Sequence, residues 1–146
     1  MGAGNLRKLL FFFTLILSNV LAEIDVVAEL GATHVELLQQ KGAPNAILPV
    51  RQERPDDDDV AFVYGESYFY LYNNHFYRAF FSKRHSGEIY KGLKIGDSKG
   101  ELTKLWGNKY DLEKDGLVWQ KDGYIIVAKI TTENRLESIW FIKDAN

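Results

Sequence analysis

"GATHVELLQQKG" fills residues 31–42, and "GDSKGELTKLWG" fills residues 96–107. Each stretch opens and closes on glycine. Each places a hydroxyl residue two positions in, Thr33 or Ser98, and follows it three positions later with Glu36-Leu37 or Glu101-Leu102. A Ser or Thr with Glu three residues on is the capping box of a helix start: the hydroxyl takes the third amide and the carboxylate reaches back to the first. Gly42 and Gly107 fall where a helix of two to three turns needs a left-handed residue, and Pro44 stops the first helix from continuing. Leu102, Leu105 and Trp106 give the second helix an apolar face. In the first, Leu37 and Leu38 are followed by Gln40 and Lys41, so that helix is expected to be shorter or more exposed.

Outward from these stretches the chain repeats its order. Three runs rich in β-branched and aromatic residues follow each helix, at 60–64, 68–72 and 76–81, then at 117–119, 124–130 and 136–142. Asn73-Asn74 and Asp122-Gly123 tolerate the positive φ of tight hairpin turns. A further short strand is expected before each helix, at 24–30 and 89–95. The loop "RQERPDDDD" at 51–59 has no counterpart in the second copy. A helix with three strands buries too little surface to stand alone. The expected fold class is therefore α+β: two tandem helix-plus-three-strand repeats, at about 24–84 and 89–143, in one domain spanning 23–146. An antiparallel sheet would carry the helices on one face.

Composition narrows the function. The chain has 146 residues, 46% hydrophobic and 26% charged, with a net charge of -2. No basic patch is present to neutralise phosphates, so a nucleic-acid partner is not expected. The absence of cysteine excludes disulfides, thiolate metal sites and thiol nucleophiles. Arg7 and Lys8 precede "LLFFFTLILSNVLA", a basic region, a short apolar core and a small-residue end. That pattern predicts a signal peptide over 1–22, cleaved after Ala22, and a periplasmic or secreted product. The apolar run is short of the roughly 20 residues of a membrane span, so no stable insertion is expected after cleavage. No cysteine stands at the cleavage point to carry a lipid.

The residues Gly96, Ser98, Glu101-Leu102, Leu105-Trp106-Gly107, Trp119 and Asp122-Gly123, with Gly31, Leu37-Leu38 and Gly42-Ala43-Pro44, resemble two bacterial groups. These are the SmpA/BamE-like outer-membrane assembly lipoproteins and the tandem-repeat β-lactamase-inhibitory-protein-like family. The lipidated cysteine of the first and the disulfides of the second are missing here. The resemblance implies an envelope or secreted protein that binds other proteins through its sheet.

Little in the sequence points to chemistry. His34, His75 and His85 have no metal or catalytic spacing, and no phosphate loop follows a strand. No catalytic residue, metal site or cofactor is expected. Asp56–Asp59 is the one acidic cluster; a hard cation would suit it, but the calcium-loop spacing is absent, and a solvated loop is the plainer reading. The aromatic hairpin "YFYLYNNHFYRAFF" at 68–81 is the strongest feature. With a two-residue turn at Asn73-Asn74, alternation places Tyr68, Tyr70, Tyr72, His75 and Tyr77 on one face. Phe69, Leu71, Phe76 and Phe80 take the other, with Arg78 at its margin. The phenylalanines belong to the core and the tyrosines form the candidate partner-binding surface. The expected function is that of an exported, non-enzymatic adaptor of the bacterial envelope. Its partner would be an envelope or secreted protein, a peptide or a glycan, and a homodimer is one arrangement. Two alternatives stand beside it: an inhibitor of a secreted or periplasmic hydrolase, and a carboxylate-based hydrolase using Asp56–Asp59.

Overall fold

A computed structural model describes residues 25–54 and 59–145. The expected signal peptide over 1–22, and Asp56, Asp57 and Asp58 of the acidic cluster, lie outside the described residues. The elements run α1 (Val26–Glu29), α2 (His34–Lys41), β1 (Ala46–Val50), β2 (Asp59–Tyr64), β3 (Ser67–Tyr72), β4 (His75–Phe81), α3 (Lys99–Trp106), β5 (Asp111–Glu113), β6 (Gly116–Lys121), β7 (Tyr124–Ile130) and β8 (Leu136–Lys143). The strands form one antiparallel sheet in the order β1-β2-β3-β4-β8-β7-β6-β5. The expected class of two helix-plus-three-strand repeats is thus corrected. Among the described residues the fold is a mostly β, eight-stranded sheet with three short helices, and each half is a four-stranded meander. The extra strands are the edges. β1 carries Pro49, tolerable only where no inner ladder needs its amide, and β5 is three exposed residues.

The two glycine-bounded stretches dock on the sheet in matching ways. Gly31 N–H donates to Phe76 O at 2.7 Å, and Gly96 N–H donates to Leu136 O at 2.8 Å. His34 N–H donates to Asn74 O and Lys99 N–H to Asn134 O, each at 2.9 Å. Gly42 O accepts from the Tyr64 hydroxyl, and Gly107 O from Trp119 Nε1, again at 2.9 Å. The helices are equal in length, eight residues each, but the first buries only Leu37 where the second buries Leu102 and Trp106, so the first is the more exposed and not the shorter. Their caps differ. Thr33 and Glu36 form the reciprocal box, whereas the Ser98 side chain makes no cap bond, and Glu101 turns to Lys104 at 2.6 Å.

The segments expected as leading strands are otherwise. Asp25 accepts from the amides of Val27 and Ala28 and caps a helical turn, α1. Between Ile89 and Leu93 the chain makes a tight loop closed by the Ile89 N–H to Leu93 O bond at 2.8 Å. Ile89, Tyr90 and Leu93 are buried, and Tyr90 stacks on Trp106 and meets Phe141. The connector between the halves is therefore part of the core.

That core lies on one face of the sheet. Phe62, Phe69, Leu71, Phe76, Ala79 and Phe81 from one half meet Phe141, Ile139, Ile126, Ala128, Leu117 and Trp119 from the other, beneath Val26, Leu37, Leu102 and Trp106 of the helices. Gly116 marks a close approach: its φ is 141°, and a Cβ there would collide with the Ala128 carbonyl.

Candidate functional site

The sheet face away from the helices is the candidate site. Five sequence-selected residues lie on the β3–β4 hairpin, whose turn residues Asn73 and Asn74 take φ of 48° and 63°. Tyr72 pairs with His75 as expected. One step further the register shifts: Leu71 pairs with Phe76 and Tyr70 with Arg78, leaving Tyr77 unmatched. This bulge corrects the expected faces, because an extra residue inverts alternation beyond it. Arg78 and Phe80 join the tyrosine side, and Ala79 and Phe81 turn into the core. Tyr68 faces Phe80.

The corrected register builds a continuous row across six strands. Val63 pairs with Tyr68, Tyr68 with Phe80, Phe80 with Trp140, Trp140 with Val127, and Val127 with Val118. Phe80 and Trp140 stack with centroids 4.4 Å apart, and Tyr68 and Tyr70 tile against them. A second row runs Ala61, Tyr70, Arg78, Ile142, Ile125 and Gln120. Arg78 sits among rings: its Cζ lies 4.4 Å from the Tyr70 centroid, 5.2 Å from Tyr77 and 5.4 Å from Trp140. Burial raises the Tyr70 phenol above its ordinary range.

The remaining stripe residues sit apart from these rows. Tyr72, 45% exposed, meets Tyr77 edge-on, and both line a hollow of about 890 Å³ with Asp59 and Gln52. Asp59 is buried; one carboxylate oxygen accepts from Tyr77 and from Gln52 Nε2. Burial first, then this bond to Asp59, pushes the Tyr77 phenol well up. His75 is exposed at the hairpin end and donates from Nδ1 to Asn73 O at 2.9 Å. Of the five selected residues, Tyr68 and Tyr70 join the aromatic row, Tyr72 and Tyr77 line the hollow, and His75 is held by its own turn.

The sequence reading missed Arg78, Phe80, Trp140, Ile142, Ile125 and Val127 as face residues. The alternation of "SIWFIK" at 138–143 is a usable signal for Trp140 and Ile142, but only the β4–β8 pairing puts them beside the tyrosines. Among the described residues no three His, Asp or Glu side chains gather as a metal site, and no helix is long and apolar enough to cross a membrane.

No family model and no curated protein matches the sequence. Solved structures share the fold, among them the following two. One is an extracellular protein containing a SCP domain from Bacillus anthracis, with TM-score 0.63, 12% identity, and coverage of 84% of this chain and 47% of that one. The other is a cysteine-rich secretory protein from Staphylococcus aureus, with TM-score 0.58, 16% identity, and coverage of 83% and 47%. The chain spans about half the length of each. The expected likeness to SmpA/BamE-like and β-lactamase-inhibitory-protein-like proteins is corrected by these matches. Its supports were helix ends and hairpin turns, which are local signals. The order of eight strands, which separates one such fold from another, is long-range.

Proposed function

We propose that the chain is an exported binding module without catalytic activity, docking on another protein of the cell envelope or exterior through the open face of its sheet. The observation that carries this reading is the row Tyr68, Phe80, Trp140, Val127 and Val118, in direct register across five strands, while the helix residues of the core pack on the opposite face. Contiguous apolar rows of this kind mark interaction surfaces, and Tyr and Trp are the types enriched in them. Export is supported by the basic-then-apolar pattern over 7–22 and by the extracellular and secretory character of the two similar proteins.

Site-specific photo-crosslinking tests this. A crosslinking residue at Val127 reports the open face, and one at Leu112, which is 80% exposed, reports an edge on the other side. Incubated with envelope and secreted fractions of the source cells, Val127 should yield a protein adduct that Leu112 does not. Tyr70→Ala/Trp140→Ala should abolish it with circular dichroism unchanged. An adduct that survives the double substitution, or none from Val127, overturns the reading.

A further inference from the structure

We infer that Arg78 is the anchor of this docking face and takes a side-chain carboxylate of the partner protein, presented within an apolar surround. The inference rests on the docking reading above. Arg78 lies in a row of Tyr70, Ile142 and Ile125 and beneath Trp140 and Tyr77. Its Nε is buried without a partner. Among the described residues the guanidinium makes no hydrogen bond and no ion pair. Asp59, on the other side of Tyr77, is engaged by Tyr77 and Gln52 and forms no ion pair with Arg78.

A guanidinium holds five donors in one plane, and leaving them unmet in a half-buried setting costs stability. Ring faces compensate the charge but accept no N–H bond along the fork. Rings packed around the group restrict its orientation, and its planar fork is the geometry a carboxylate matches with two parallel bonds. Lys129, the cation that β7 presents on this face, is already paired with Glu137 at 3.2 Å. One unpaired positive charge therefore stands in an apolar field, which suits a single negative charge better than a phosphate dianion. Arg, Tyr and Trp at the centre of a flat apolar patch form the composition of protein-interface hot spots. Docking would remove water from the pair and fix register as well as affinity.

Three terminally defined tripeptides test the inference by NMR titration into the protein, read at the Arg78 Nε–H and Trp140 indole signals. They are N-acetyl-Leu-Glu-Phe-amide, its Gln analogue, and the Gln analogue with a free C-terminal carboxylate. The Glu peptide should bind about tenfold more tightly than the Gln amide, with both signals shifting. Arg78→Gln should erase that preference. Arg78→Lys should also reduce it, because an ammonium keeps the charge and loses the planar fork. Equal binding of the Glu and Gln amides overturns the anchor while leaving the docking face in place. A preference kept in Arg78→Gln overturns it as well. Preference for the free C-terminal acid alone replaces a side-chain carboxylate with a chain end and overturns the proposal as stated. No shift at Trp140 with any peptide removes the docking reading and the anchor together.

Discussion

Strands β4 and β8 carry the same bulge at the same place. In β4 the register slips beside Tyr70/Leu71 and leaves Tyr77 unmatched; in β8 it slips beside Lys129/Ile130 and leaves Glu137 unmatched. The next residues are Arg78 and Ser138. In the second half Glu137 finds Lys129 across the strands, a pair 61% and 30% exposed, and the charges close on each other. In the first half the neighbours are aromatic, and Arg78 is left with rings and no carboxylate. One backbone device thus gives a self-contained surface pair on one side and an open cation on the other. Function, on this reading, lies in what the two halves do not share.

The core tests how far the halves are separate. Trp119 is fully buried and ties its strand to α3 through Gly107. Trp119→Ala should cost about 3–5 kcal/mol, as large aromatic truncations do. Because Phe81, Phe141 and Tyr90 cross the β4–β8 seam, urea denaturation should remain a single transition with a lowered midpoint. Two transitions, with the first half surviving the second, would break the view of one cooperative sheet.

A smaller effect comes from the last turn of each helix. Trp106 closes α3 against Tyr90, Trp119 and Phe141. The corresponding place in α2 is Lys41, which pairs with Glu29 of α1 at 3.2 Å with side chains 11% and 13% exposed, and sets its ammonium 4.7 Å from the Phe69 ring. A buried pair is costly to break because one charge is left behind. Lys41→Ala should cost about 2 kcal/mol, and adding Glu29→Gln should recover part of it. A double variant no more stable than Lys41→Ala would show that packing of the lysine stem, not the charge, is what α1 needs.

These contrasts also show which features were legible in the residues and which were not. Helix ends and hairpin turns were readable because their causes are local: Thr33 with Glu36, Asn73-Asn74, Asp122-Gly123. α1 was misread as a strand because Val26 and Val27 favour extended structure, while the decisive group was Asp25, whose carboxylate caps the turn. β1 and β5 were missed because Pro49 and the polar "DLE" at 111–113 are tolerable only at a sheet edge, and edge position is a property of strand order. The tyrosine face was legible as far as Tyr72. Beyond it the bulge, which no residue type announces, moved Arg78 and Phe80 across the sheet and brought Trp140 beside them.

The caps give a finer contrast. Thr33 accepts from Glu36 N–H at 3.3 Å, and Glu36 Oε2 accepts from Thr33 N–H at 2.8 Å; the Thr33 amide is the first cause holding the Glu36 carboxyl below its usual range. Ser98 has no such bond. Thr33→Ala should cost about 1 kcal/mol, and Ser98→Ala no more than about 0.5 kcal/mol, measured as urea midpoints at constant slope. Equal costs would mean that Ser98 caps α3 in solution.

The smallest expected change is visible only on titration. His85 follows β4, stands edge-on to Phe81 at 5.0 Å, and leaves Nε2 buried without a partner. Burial lowers its pKa, against smaller upward pulls from the Glu88 backbone and the Glu66 carboxylate. The folded state therefore prefers the neutral ring, while the unfolded chain takes a proton near the ordinary value of about 6.5. Protons bind more readily to the unfolded state, so stability contributed here is present above that pH and is lost as pH falls below it. Thermal midpoints should decline from pH 7.5 to 5.5, a window in which ordinary carboxylates remain ionised. His85→Gln should flatten that slope. Identical slopes would place the imidazole in water.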